Sequence, residues 1–339
     1  MYKNKTFMKL KIFIISILSC LISFGQAQIK IGIIGLDTSH AIAFTKFLNG
    51  KDRKEEFKDF SIVAAYPYGS KTIKSSYDRI PEYIEQVKKL GVEIVPSISE
   101  LLVKVDCVLL ETNDGNPHLE QAYEVIKSRK KLFIDKPVGA NLAQAIAIYE
   151  IAKKYKVPIF SSSALRFSSQ NQKLRNGELG KVIGADMYTP GHIEPTHSDL
   201  AWYGIHGVEP LFTIMGTGCV SVNSTSSQGA TVTTGLWDDG RIGTVRGIRD
   251  GTMDYGGLAF TDKTIVHSGS YEGYETLLLE ILDFFKTGIS PVSPKETLEI
   301  FTFIEASDLS KKKDGNTILL EDAYNKSFKK AKKMIKNLK

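Results

Sequence analysis

Short apolar runs alternate with amphipathic stretches through the first half of the chain. Ile29 to Gly35, Phe60 to Tyr66, Val92 to Pro96, Val105 to Glu111 and Leu132 to Ile134 are near-continuous apolar runs of strand length. Ala41 to Leu48, Ile80 to Leu90, Ser99 to Val103, His118 to Arg129 and Leu142 to Tyr155 read as helices, and Pro158-Ile-Phe160 opens another strand. Alternating strands and helices predict a parallel sheet with helices on both faces, because parallel neighbours need crossovers. The second half reads differently. Lys181 to Tyr188 is a strand and Val208 to Met215 a helix. From Val220 onward, strands over Ala230 to Thr234, Arg241 to Arg246, Gly257 to Phe260 and Lys263 to His267 follow, with a hairpin turn at Asp238-Asp239-Gly240. Glu275 to Phe285 and Lys295 to Leu309 are helices. The pattern predicts an α/β chain: a parallel-sheet domain over 28–162, then an α+β domain with a mainly antiparallel sheet over 163–339.

The segment before that pattern stands apart. Lys3, Lys5, Lys9 and Lys11 precede an uncharged apolar run from Ile12 to Phe24, and Gly25-Gln26-Ala27 supplies small residues before Gln28. This is the order of a secretory signal peptide, and it predicts a Sec-type export to the periplasm with residues 1–27 removed. A lipoprotein through Cys20 fits less well, since Leu21-Ile22 keeps the segment apolar. Removal lowers Lys+Arg from 44 to 40 against 38 Asp+Glu, a net charge of about +2. The basic balance is then mostly the export signal and implies no nucleic-acid partner; without the signal no membrane span is expected. Cys107 and Cys219 sit in apolar stretches and read as buried thiols. No Cys/His pattern has zinc spacing, and the loop with His192, Glu194, His197 and Asp199 reads as polar, so no metal site is expected.

The strand Leu132-Phe-Ile134 ends in Asp135-Lys136-Pro137. In open parallel sheets, ligands bind at the carboxyl edge, and Pro137 stiffens the backbone that aims Lys136 there. A lysine so placed can hydrogen-bond a substrate hydroxyl and move its proton. His206, flanked by Gly204 and Gly207, is a second candidate, since glycines permit close ligand approach. The first turn, Gly35-Leu-Asp37-Thr-Ser-His40, opens a helix whose amino end attracts anions. There Asp37 could cap the helix while Thr38 and Ser39 meet phosphate. Trp202 and Tyr203 could stack on a sugar face. His40 and His267 read as structural.

These pieces, in order, resemble the Gfo/Idh/MocA family of nicotinamide-dependent oxidoreductases. The likeness covers nearly all of 28–325. It rests on Ile31 to Gly35, Val105 to Val108 with Thr112 and His118, Asp135-Lys136-Pro137 in place of Glu-Lys-Pro, Arg166-Phe167, Gly177 to Gly180, and Gly204-Ile-His206. The resemblance implies a Rossmann-type first domain that binds NAD or NADP, with contacts from Gly35, Asp37, Thr38, Ser39, Thr112 and His118. Asp37 stands where the second glycine of Gly-x-Gly-x-x-Gly is usual. The strand ending at Tyr66 lacks the usual ribose acid, and Ser70 and Lys71 would suit a 2′-phosphate. A sugar or cyclitol would lie between the domains, with Lys136 and His206 facing its oxidised hydroxyl and Arg166, Asp199, Trp202 and Tyr203 as substrate contacts. Trp202 stands where the family has an aspartate four residues before the histidine. The implied activity is oxidation of a CH–OH group of a sugar derivative, in carbohydrate catabolism, by a homo-oligomer joined through the second sheet. Two alternatives remain: a redox-elimination glycosidase with a tightly held cofactor, and a non-catalytic carbohydrate-binding protein on the same scaffold.

Overall fold

The computed structural model describes residues 28–338, so the expected export signal at 1–27 lies outside the described residues. The first layer is a sheet of six parallel strands: β1 (Ile29–Ile34), β2 (Phe60–Tyr66), β3 (Glu93–Ile94), β4 (Cys107–Leu110), β5 (Lys131–Asp135) and β6 (Ile159–Ser162), in the order β3-β2-β1-β4-β5-β6. Around it run α1 (Ser39–Asn49), α2 (Lys74–Tyr77), α3 (Ile80–Lys89), α4 (Ile98–Leu102), α5 (His118–Lys127) and α6 (Leu142–Tyr155). β4 at the middle of the sheet is apolar and buried throughout because helices cover both faces. The order reverses beside β1, the position where an open α/β sheet forms its ligand crevice.

After β6 the chain passes through α7 (Ser169–Arg175), β7 (Val182–Pro190) and α8 (Ile205–Met215) into β8 (Cys219–Ser226), β9 (Ala230–Trp237), β10 (Ile242–Ile248), β11 (Gly256–Thr261) and β12 (Ile265–His267). It ends in α9 (Glu275–Thr287), α10 (Pro294–Lys311), β13 (Ile318–Leu319) and α11 (Leu320–Asn337). The second sheet is ordered β12-β11-β7-β10-β9-β8-β13. It is mainly antiparallel, with one departure: β7 and β10 at its centre pair in parallel, Ile242 opposite Gly184. Burial alternates along β9 and β10, so one face packs on helices and the other stands open. Leu236 and Ile242, cross-strand partners, are both exposed on that face.

Two helices from the second half serve the first. α9 packs its Leu277, Leu278, Ile281 and Phe284 into the core built on β1, β2 and Phe133, with Phe160 and Phe284 edge to face at 5.0 Å. α11 packs against α6. Both helices thereby pack the second half of the chain onto the layer of the first sheet. No helix among the described residues is long and apolar enough to cross a membrane.

Candidate active site

A cavity of about 210 Å³ opens at that edge, and both domains line it. From the first domain come Thr38, Ser39, His40, Asp135 and Lys136; from the second come Trp202, Tyr203, His206, Tyr255 and Tyr274. Lys136 is placed by the end of β5, where its backbone N–H donates to Asp135 Oδ1 at 2.8 Å. Its Nζ lies 6.0 Å from the centroid of the Tyr203 ring.

His206 reaches the cavity from the first turn of α8, which follows a π-helical turn over Leu200–Gly204. That turn brings Trp202 and Tyr203 to the same wall. The His206 Nδ1 and the Ser163 hydroxyl are 2.8 Å apart. Burial, and then the positive charge of Lys136, hold the ring well below the usual histidine range, so it is neutral at pH 7. Ser163 is fixed in turn by Glu209, one turn beyond His206. Glu209 accepts from Ser163 N at 2.7 Å and from the Ser162 hydroxyl at 2.5 Å. Arg166 completes the clamp, with Nε 2.7 Å from Glu209 and Nη1 2.6 Å from Glu296.

Several expected contacts fall elsewhere. Arg166 is 1% exposed and committed to its two glutamates, so it positions Ser163 and does not meet substrate. Asp199 pairs with Lys311 on α10, outside the cavity. His118 is fully buried and pairs its Nε2 with the Thr112 carbonyl at 2.7 Å; neither residue lines the cavity. The Ser70 hydroxyl is buried and donates to Asp114 at 2.8 Å, leaving no free group for a 2′-phosphate. Lys71 is exposed beside a separate groove with Tyr66, Tyr68 and Tyr77. His197 turns inward, accepting from Gly115 N at 3.0 Å. Burial lowers its pKa to about 4 against the pull of Asp114.

A dinucleotide places its pyrophosphate at the amino end of the first helix, and the residues there fit an anion. Ser39 is exposed in the first turn of α1, and Arg79 and Ser75 line the same cavity. The helix cap is Thr38, whose hydroxyl accepts from Ala41 N, and not Asp37. Asp37 points inward: its oxygens accept from Asn113 N at 3.0 Å and Ser70 N at 3.3 Å. Burial raises its carboxyl to about 6, against those two bonds. The charge that would repel phosphate is thus turned into the loops. Gly35 is required where it stands, at φ +96° and with a Cβ position 2.4 Å from Thr112 N.

Sequence reasoning missed Ser163, Glu209, Arg79 and the tyrosines 255, 271 and 274. No local signal marks them: Ser163, Arg79 and the tyrosines reach the cavity from loops or helix ends distant in sequence, and buried Glu209 acts from inside α8 through Ser163.

Fold and site together define a two-domain Rossmann-type architecture with a lysine and a histidine lining one cleft from opposite domains. Residues 29–162, the first layer of the molecule, match the oxidoreductase family GFO_IDH_MocA, NAD-binding Rossmann fold, so this part of the chain is similar to the Gfo/Idh/MocA oxidoreductases. Among curated proteins, the myo-inositol 2-dehydrogenase of Thermotoga maritima is 34% identical over 104 residues, 29% of this chain and 31% of that protein. The matched stretch thus spans about a third of that relative. A probable dehydrogenase from Thermotoga maritima superposes with a TM-score of 0.70 at 20% identity, covering 87% of this chain and 100% of that one. The scyllo-inositol dehydrogenase of Lactobacillus casei, solved with NAD(H) and scyllo-inositol, superposes at 0.68 with 13% identity, covering 87% and 99%. These structural likenesses concern the fold.

Proposed function

We propose that this protein is a nicotinamide-dependent dehydrogenase that oxidises a secondary hydroxyl of a sugar or cyclitol bound between its domains. The observation that carries the reading is the cavity itself: Lys136 from one domain and His206 from the other line it together. The bound dinucleotide would supply the hydride acceptor. The hydroxyl proton must leave as the hydride does, so a base must reach that oxygen. His206 is neutral. With hydrogen on Nδ1, directed at Ser163, its Nε2 is free to take the proton. Lys136 hydrogen-bonds the same oxygen and stabilises its developing negative charge. Trp202, Tyr203 and Tyr255 offer ring faces to a sugar. The inositol dehydrogenases among the similar proteins favour a cyclitol or a closely related polyol.

The test is calorimetric titration of dinucleotide-free protein with NAD and NADP, followed by turnover assays on a panel of inositols and aldoses. Saturable heat with one nucleotide and formation of reduced nicotinamide with at least one polyol are expected. No heat with either at about millimolar concentration, with no dinucleotide on the purified protein, would overturn the reading.

A further inference from the structure

The carboxyl edge of the first sheet carries a second feature that proton transfer by Lys136 and His206 does not use. His40 in the first turn of α1, Glu111 just beyond β4 and Asp135 at the end of β5 converge there. One ligand-type atom from each lies within 4.8 Å of the others, the one such group found among the described residues. The strands involved are neighbours in the sheet, β1-β4-β5, so the fold itself brings the three together. His40 and Asp135 also line the cavity that holds Lys136 and His206.

The three side chains are at most 7% exposed. His40 Nδ1 lies 3.0 Å from Asp135 Oδ2, in an ion-pair contact, and 3.9 Å from Glu111 Oε2. Glu111 Oε1 is buried without a partner, while Nδ1 and Asp135 Oδ2 have only each other. The protein offers little else to satisfy them: the Thr38 hydroxyl is 3.5 Å from Glu111, and Lys136 N serves the other Asp135 oxygen. Buried polar atoms left unpaired are costly and are normally matched by protein, water or an ion.

We propose that His40, Glu111 and Asp135 bind a divalent first-row transition cation at the floor of the cleft. One imidazole nitrogen with two carboxylates suits Mn²⁺, Fe²⁺ or Zn²⁺ better than Mg²⁺ or Ca²⁺, which prefer oxygen-only shells. Three protein ligands leave coordination positions open, as in catalytic and not structural sites. Those positions would take oxygens of a polyol or hydroxyketone, so adjacent hydroxyls would chelate.

The inference stands apart from the dehydrogenase reading, because its test needs neither dinucleotide nor turnover. Chelator-treated full-length mature protein is titrated with Mn²⁺, read by electron paramagnetic resonance of free Mn²⁺, and with Zn²⁺, read by calorimetry. Saturable binding of about one ion per chain is expected, weakened at least about tenfold in Glu111→Gln and in Asp135→Asn. His40→Ala should do the same, and Lys136→Met should leave binding intact. Circular dichroism confirms the fold of each variant, and the near-isosteric Glu111→Gln keeps the test decisive if His40→Ala fails to fold. Absence of saturable binding of either ion, or unchanged affinity in folded Glu111→Gln and Asp135→Asn, would overturn the proposal.

Discussion

Lys136→Met removes a hydrogen-bond donor from the cavity wall but leaves the apolar stem that packs there. Turnover should fall roughly 10²–10³-fold, the usual worth of one donor to a developing oxyanion, with thermal stability unchanged. Steady-state kinetics beside a melting curve separates the two effects, and wild-type turnover would remove Lys136 from the mechanism. Asp37 makes a prediction of opposite kind, in stability and not rate. Its carboxyl titrates near 3.8 when unfolded and at about 6 when folded. Between those values the folded protein holds a proton that the unfolded chain has lost, so this group's contribution falls as pH rises through the window. Asp37→Asn abolishes that titration. Urea denaturation should show the variant's stability gaining on the wild type from pH 4 to pH 6, by up to about 3 kcal/mol, then running parallel above. A constant difference across the window would show that Asp37 titrates normally.

Helix α6 shows why some elements are legible without a structure. Asn141 caps it, accepting from Gln144 N at 3.1 Å, and Gln144 returns a bond from Ala140 N at 2.8 Å. Caps act within one turn, so the pattern is present in the sequence, and the expected span, Leu142 to Tyr155, is the observed one. Asn141→Ala should cost about 1 kcal/mol in chemical denaturation, and a loss below the error of the measurement would assign the helix start to packing alone. Helix α8 is the contrary case. The sequence pattern predicts a start at Val208, but the helix begins at Ile205 after the π-helical turn. Gly207 is required by packing: a Cβ there would stand 2.8 Å from Thr189 of β7. The close approach of helix to sheet outweighs propensity, and it is what carries His206 onto a helix turn facing the cavity.

On the scale of the whole molecule, the Arg166 clamp ties the end of β6 to α8 and α10. Arg166→Met would leave Glu209 and Glu296 buried without their shared cation, although Arg175 still reaches Glu296 at 2.9 Å. A cost of about 3–5 kcal/mol is expected. Because Glu209 also holds Ser163, the partner of His206, turnover should drop in any fraction that remains folded. Denaturation with kinetics checks both, and a loss under about 1 kcal/mol would show that solvent replaces the clamp.

The sequence by itself determined the alternation of parallel strands and helices, the family resemblance of the first domain, and the lysine at the end of β5. Hydrophobic period, turn chemistry and a proline-fixed strand end are all local, acting within a few residues. Only the tertiary structure decided what those residues do together. It buried Asp37 where an outward cap was expected, because Asn113 and Ser70 offer it backbone donors from loops distant in sequence. It turned Arg166, Asp199 and His118 away from the cavity toward partners on other elements. It also joined His40, Glu111 and Asp135, separated by as much as 95 positions, at the ends of three adjacent strands. Burial and charge pairing depend on what lies across the fold, and that information has no period along the chain.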